Sequence, residues 1–181
     1  MTWSPPAPGL AYGLSKAARL LQESGRPTLV VCAEKFSDKI GTVRASRMIF
    51  GDSAGALVLG PASAGAPPDL EVFQTYASGP MSAVESIIWP NPAFDNSITV
   101  YGPEVRALAD PDGRARSLLE AIDLVVPHQA NKTSAASIPL ALHDAVHDGV
   151  IDRPLRVFAP GFGAGAVGGY VVMRVAPAIA A

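Results

Sequence analysis

His128 stands directly after the apolar stretch 122–126 (IDLVV), with Gln129 beside it and Asn131 three residues on. An imidazole and a carboxamide gathered at the end of a buried strand can polarise a carbonyl or move a proton. Strand ends are where layered α/β proteins collect such groups. A lone histidine there also serves as an ordinary hydrogen-bonded side chain, so the neighbours carry the functional weight. The next residues, 133–142 (TSAASIPLAL), open a helix with small side chains.

Four other constellations could do chemistry. Gly51-Asp52-Ser53-Ala54-Gly55 fits the G-x-S-x-G pattern of a nucleophile elbow, which requires a strained strand-to-helix turn and an oxyanion hole. The stretch just after it, ALVLGP, is short and β-like, so a tight hairpin turn is the stronger reading. An esterase would have to pair Ser53 with His128 or His143 and an acid such as Asp123. His143 and His147 lie four apart on one helix, as two metal ligands would, but no third ligand is spaced to join them and a solvent-facing position fits better. The glycine-rich run 161–169 (GFGAGAVGG) lacks the succeeding helix of a dinucleotide fingerprint. It reads instead as a turn whose bare backbone N–H groups could hold an oxyanion. Cys32 sits among Val30, Val31 and Ala33 in a buried strand, where a thiol is an inert small hydrophobe rather than a nucleophile.

These residues need elements to position them. Leu10, Leu14, Ala17 or Ala18, and Leu21 recur at helical spacing, and Gly25 and Pro27 punctuate the end. Residues 28–33 (TLVVCA) form a strand buried on both faces. After a polar loop at 40–47, residues 48–61 read as a short strand, a turn and a strand at 56–59. Residues 65–69 form the connector between two halves, and 70–76 alternate like a half-exposed strand. The stretch 79–102 is irregular, since Trp89-Pro90-Asn91-Pro92 opposes regular structure. Residues 103–121 are helical but broken at Pro111 and Gly113. A short buried strand (122–126), a helix (134–146) with Pro139 in its first turn, and strands at 156–159 and 169–175 complete the chain. Alternating helices and apolar strands imply a layered α/β fold.

Composition narrows the functional classes. The chain has 181 residues, 49% hydrophobic and 17% charged, with a net charge of −2. That is enough chain for a real core and offers no basic footprint for nucleic acid. One cysteine excludes a disulfide framework and a thiolate metal site within one chain, in keeping with a reducing, cytoplasmic setting. No apolar run approaches the roughly 20 residues that cross a bilayer, and the start has no signal-peptide pattern. No membrane partner is expected.

Four segments in order resemble the β-ketoacyl-acyl-carrier-protein synthase III family, of thiolase-like fold. They are LAYGLSKAA (10–18), IFGDSAGALVLG (49–60), DLVVPHQAN (123–131), and 133–149 followed by FGAGAVGGYVVMRV. The resemblance implies an incomplete thiolase-like layered α/β fold. Residues 1–64 would be the remnant of the N-terminal half. Residues 70–181 would be the C-terminal half, with an internal deletion near 131–133. It further implies acyl transfer from coenzyme A to a malonyl group on an acyl carrier protein, in fatty-acid or polyketide biosynthesis. No cofactor is implied, and the partners would be acyl-CoA, acyl carrier protein and a second copy or a related synthase.

Carried over by position, the family's catalytic histidine is His128, and its oxyanion loop is Gly163-Ala164-Gly165, with the Ala164 N–H as donor. The nucleophilic cysteine stands two residues before the first helical glycine, where this chain has Ala7. The family's asparagine directly precedes TSAAS. Here Lys132 holds that place and Asn131 is one step away. The two segments are normally separated by roughly 25–30 residues, about a helix, a strand and their turns. The expectation is that this chain alone condenses nothing, because alanine cannot accept an acyl group. Two alternatives remain at this point: a non-catalytic partner of a full-length synthase, and the Ser53 esterase.

Overall fold

Helix α1 (Gly9–Ser24) forms where the apolar spacing places it and buries Leu10, Ala11, Leu14 and Ala17. It ends at Gly25, whose φ of 66° is the left-handed conformation that glycine adopts without strain. The Gly25 N–H donates to the Leu21 carbonyl at 2.8 Å. The computed structural model describes residues 9–38, 50–77, 87–91, 97–100, 121–128, 134–163 and 167–179. The helix expected at 103–121, except its last residue, and the polar loop at 40–47 lie outside them.

Strands β1 (Thr28–Glu34) and β2 (Ser53–Leu59) pair antiparallel, with Thr28 opposite Leu59 and Glu34 opposite Ser53. The expectation of burial on both faces of β1 is corrected. Val30 and Cys32 are buried, but Leu29 and Val31 are 61% and 60% exposed, and Val58 on β2 is 70% exposed. Successive side chains of a strand point to opposite faces, and only one face of this pair meets the helices. The sequence also places a turn at 51–55, whereas β2 already begins at Ser53 and carries Gly55 within it. Gly55 is where α2 (Ser137–His147) crosses β2: a Cβ there would lie 2.7 Å from Pro139 Cβ.

Strands β3 (Leu70–Ala77), β6 (Leu124–Val125), β7 (Leu155–Gly163) and β8 (Val167–Val175) form a second sheet, in the order β3-β8-β7-β6. Strand β8 is antiparallel to both β3 and β7, while β6 runs parallel to β7. The sequence reading buries 122–126. In the fold β6 lies at the sheet edge, and Val125 is 46% exposed. The two final strands are longer than expected, so most of the glycine run belongs to the ladder. Gly161 pairs with Gly169, and Gly163 with Val167.

Strands β4 (Ile87–Asn91) and β5 (Ser97–Val100) form an antiparallel hairpin in the stretch expected to be irregular. Ile88 pairs with Thr99 and Asn91 with Ser97, so the register shifts across Trp89 and Pro90. That irregularity is what lets a strand tolerate a residue without an N–H.

Helix α1 packs against strands of both sheets. Gly13 lies under Val30 of β1, and Gly169 of β8 lies under Ala11. The core therefore sits between helix and sheet, with Leu10, Ile151, Val157, Val171 and Val172 essentially sealed from solvent. The result is the layered α/β arrangement that the alternation of elements implies.

Candidate functional site

The edge of the second sheet aims His128. Beyond the two residues of β6, the parallel ladder continues on both sides. Asp123 N–H donates to the Arg156 carbonyl at 2.9 Å, Val126 N–H to Phe158 at 2.9 Å, and His128 N–H to Pro160 at 2.8 Å. Alternation along this segment sends Val126 and His128 inward and Pro127 outward. Arg156 ties the outer end down: its N–H donates to Asp123 Oδ2 at 2.8 Å and its Nε to Glu71 Oε2 at 2.7 Å. Arg174 Nε approaches Glu71 Oε1 at 3.2 Å, near enough for ion pairing although that oxygen lacks a well-aligned hydrogen bond.

The imidazole meets the start of α2. His128 Nδ1 is 2.9 Å from Ser137 Oγ, and the Ser137 hydroxyl donates to the Ser134 carbonyl, also at 2.9 Å. Ser134 opens the 3-10 turn Ser134–Ala136 with a φ of 44°, the one positive φ outside glycine among the described residues. A left-handed serine is uncommon and persists only where its surroundings hold it. Glu34, the last residue of β1, does the holding. Its carboxylate accepts from the Ser134 side chain and, at a longer 3.4 Å, from the Ala135 N–H. One chain of contacts therefore joins the first sheet to the histidine of the second.

Burial sets the charge states. His128 is 6% exposed, and desolvation pushes its pKa down to about 4, against a smaller opposing pull from its bond to the Ser134 backbone. At neutral pH it is an uncharged imidazole. Burial raises the Glu34 carboxyl, and the bonds from Ser134 and Ala135 partly offset that rise. Burial, with Glu34 nearby, lifts the Cys32 thiol to about 11, which leaves no useful thiolate at neutral pH.

The remaining candidates form no nucleophile elbow and no metal cluster among the described residues. Ser53 is followed by strand rather than helix, so the elbow geometry is absent. Its Oγ is buried without a hydrogen-bond partner among the described residues. Asp123 is engaged by Arg156, and His143 is solvent-exposed with its ring tilted 60° against that of His147 at a centroid distance of 4.3 Å. The strand-to-helix elbow that a Ser53 esterase requires is therefore not formed, and Asp123 is held by Arg156. Among the described residues no three His, Cys, Asp or Glu side chains converge as metal ligands would, and no helix is long and apolar enough to cross a membrane. Gly163 closes β7 and pairs with Val167. Ala7, Asn131, Ala164 and Gly165 lie outside the described residues.

Sequence reasoning missed Glu34, Ser134 and Ser137. Ser137 carried a usable signal: it lies in the small-residue run that opens the helix closely after the histidine. Glu34 had none, because its partner lies a hundred residues away.

Comparison with known proteins places this geometry. Residues 6–77 match the family model for 3-oxoacyl-[acyl-carrier-protein] synthase III, and residues 132–175 match the model for the C-terminal part of the same enzyme. The β-ketoacyl-[acyl-carrier-protein] synthase III of Listeria welshimeri is 28% identical over 201 aligned positions, covering 92% of this chain. The chain spans 63% of that relative's length. The 201 positions exceed the 181 residues here, so the relative carries residues with no counterpart. The crystal structure of 3-oxoacyl-(acyl carrier protein) synthase III from Pseudomonas aeruginosa PAO1 superposes with a TM-score of 0.80 at 27% identity. That match covers 96% of this chain and 67% of the other. The priming β-ketosynthase of the R1128 polyketide pathway gives 0.80 at 26% identity, over 96% and 65%. The incomplete thiolase-like α/β fold is thus the observed one, and the chain belongs to the 3-oxoacyl-[acyl-carrier-protein] synthase III family.

Proposed function

We propose that this chain carries the acyl-thioester site of a condensing enzyme with its histidine in place and its nucleophile replaced. The substrates that suit such a site are acyl-CoA and an acyl carrier protein. The observation carrying the reading is His128, buried and fixed at the end of β6, combined with alanine at position 7. Condensation by the family's route begins when a cysteine sulfur attacks the thioester carbonyl and expels coenzyme A. An alanine methyl has no electron pair to offer. His128 then has no acyl-enzyme to act on, and Asn131 and the Ala164 N–H have no thioester oxygen to receive.

The division into residues 1–64 and 70–181, with the join near 131–133, belongs to the same proposal. It is supported by the gap between the two matched family segments and by the surplus positions in the relatives. A second reading, association with another copy or with a related synthase, is favoured by the exposed apolar side chains Leu29, Val31 and Val58.

The test is a product assay with acyl-CoA, malonyl-acyl carrier protein and purified chain. Expected is no ketoacyl product above the protein-free background, against at least about a thousandfold acceleration when a nucleophile is present. Product that depends on the chain and disappears in His128→Gln would overturn the proposal.

A further inference from the structure

The backbone of Ser134 is the point on which the seating of His128 converges. Its carbonyl accepts the Ser137 hydroxyl at 2.9 Å, and the same hydroxyl lies 2.9 Å from His128 Nδ1. The His128 ring also bonds the Ser134 backbone. Where that carbonyl points is set by a φ of 44°, which strains a serine through its Cβ and would not strain a glycine. On the other side stands Glu34, at the end of β1. Its carboxylate accepts from the Ser134 side chain and, at 3.4 Å, from the Ala135 N–H. The Ser134 carbonyl and the Ala135 N–H belong to one planar trans peptide and point opposite ways. A carboxylate that draws the N–H to one side therefore turns the carbonyl to the other, toward Ser137 and the ring.

We propose that Glu34 is a positioning residue for His128, acting through the Ser134–Ala135 peptide, which it holds in the strained orientation that seats the ring. The first sheet then sets the geometry of a histidine carried by the second. Strain at Ser134 is what makes the grip necessary: without it the serine would relax toward an ordinary backbone and carry its carbonyl away from Ser137 and His128. The significance for acyl chemistry rests on the reading of His128 as the retained catalytic group; the coupling of Glu34 to the ring does not.

NMR of the isotopically labelled full chain at neutral pH tests this without substrate or turnover, so it stands apart from any failure to condense. The chain has three histidines, and His128 is identified as the ring lost in His128→Gln. In the wild type, a strong nuclear Overhauser effect between the Ser134 amide and α protons should report the left-handed backbone. A second one, from the His128 ring to Ser137, should report the seated imidazole. Glu34→Ala should abolish both. Ser134→Gly should keep the ring contact, and Glu34→Ala combined with Ser134→Gly should recover it, because glycine needs no grip to stay left-handed. A merely structural role for Glu34 would show no such recovery, since glycine at 134 replaces neither the bulk nor the charge lost at 34. A folded Glu34→Ala chain that keeps Ser134 left-handed, or keeps the ring contact, would overturn the proposal. So would a Ser134→Gly chain or a double variant without the ring contact. Where Glu34→Ala alone does not fold, the double variant decides: a folded chain with the ring contact restored is the expected result, and a second unfolded chain would overturn the proposal.

Discussion

Replacing Gly169 by alanine should destabilise the chain by about 3 kcal/mol, the upper part of the range for overpacking a close contact. Gly169 lies in β8 between Gly161 of β7 and Thr75 of β3, with α1 against its open face. A Cβ there would stand 2.8 Å from the Gln74 carbonyl oxygen and 2.9 Å from Ala11 Cβ. Both atoms are fixed to backbone, one in a paired strand and one in a helix, so relief requires the layers to part. The neighbouring Gly168 makes the control. The nearest atoms to a Cβ at that position are at the far end of the Tyr76 side chain rather than backbone, so Gly168→Ala should cost less. For a chain of this length the Gly169→Ala loss corresponds to roughly 6–12 °C in Tm. A Gly169→Ala chain within about 0.5 kcal/mol of wild type in urea unfolding would contradict the close stacking of α1 on β8.

Acid should weaken the chain well above the pH at which carboxylates usually protonate, because of His128. In the fold its pKa lies at about 4, against 6.5 for the ordinary group. Between these values the unfolded chain binds a proton that the folded one refuses. The neutral imidazole's contribution is therefore complete above pH 6.5 and is lost progressively as the pH falls toward 4. The full loss is up to about 3 kcal/mol, from the size of the shift. Glu34 works in the opposite sense. Its folded pKa lies above 4.5, so protonation favours the fold there and offsets part of the loss at the acid end. Urea midpoints measured from about pH 7.5 downward should fall through this window, and His128→Gln should flatten the slope. A wild-type midpoint constant from about pH 7 to 5 would show that His128 is not held neutral.

The local elements were largely written in the chain. Leu10, Leu14 and Ala17 mark the buried face of α1, and Pro139 is legible as a first-turn residue of α2. Pairing was less accessible. Whether 28–34 is buried on one face or two depends on what lies across the sheet, and Leu29 and Val31 look identical in either case. The glycines at 161, 163, 168 and 169 suggested a ligand-holding turn. At 168 and 169 they serve close packing instead, because the absence of a side chain signals contact without saying with what. The strand through Trp89 and Pro90 was missed because a register shift can absorb a proline, and nothing local announces the shift.

The site divides similarly. His128 was legible from its place after an apolar strand and from the family motif around it. Its setting was not: the serine pair and Glu34 are brought to it by tertiary packing between residues as far apart as Glu34 and Ala135. The oxyanion N–H at Ala164 and the amide of Asn131 stay with the family resemblance. Position 7 is read from the sequence itself, and the expected failure to condense depends on it.

Intact-protein mass spectrometry after incubation with acyl-CoA tests that point most directly. The chain should keep its own mass, since Ala7 offers no nucleophile and the buried Cys32 thiol stays protonated. A stable gain of one acyl group per chain, surviving denaturation and retained in Cys32→Ala, would contradict it.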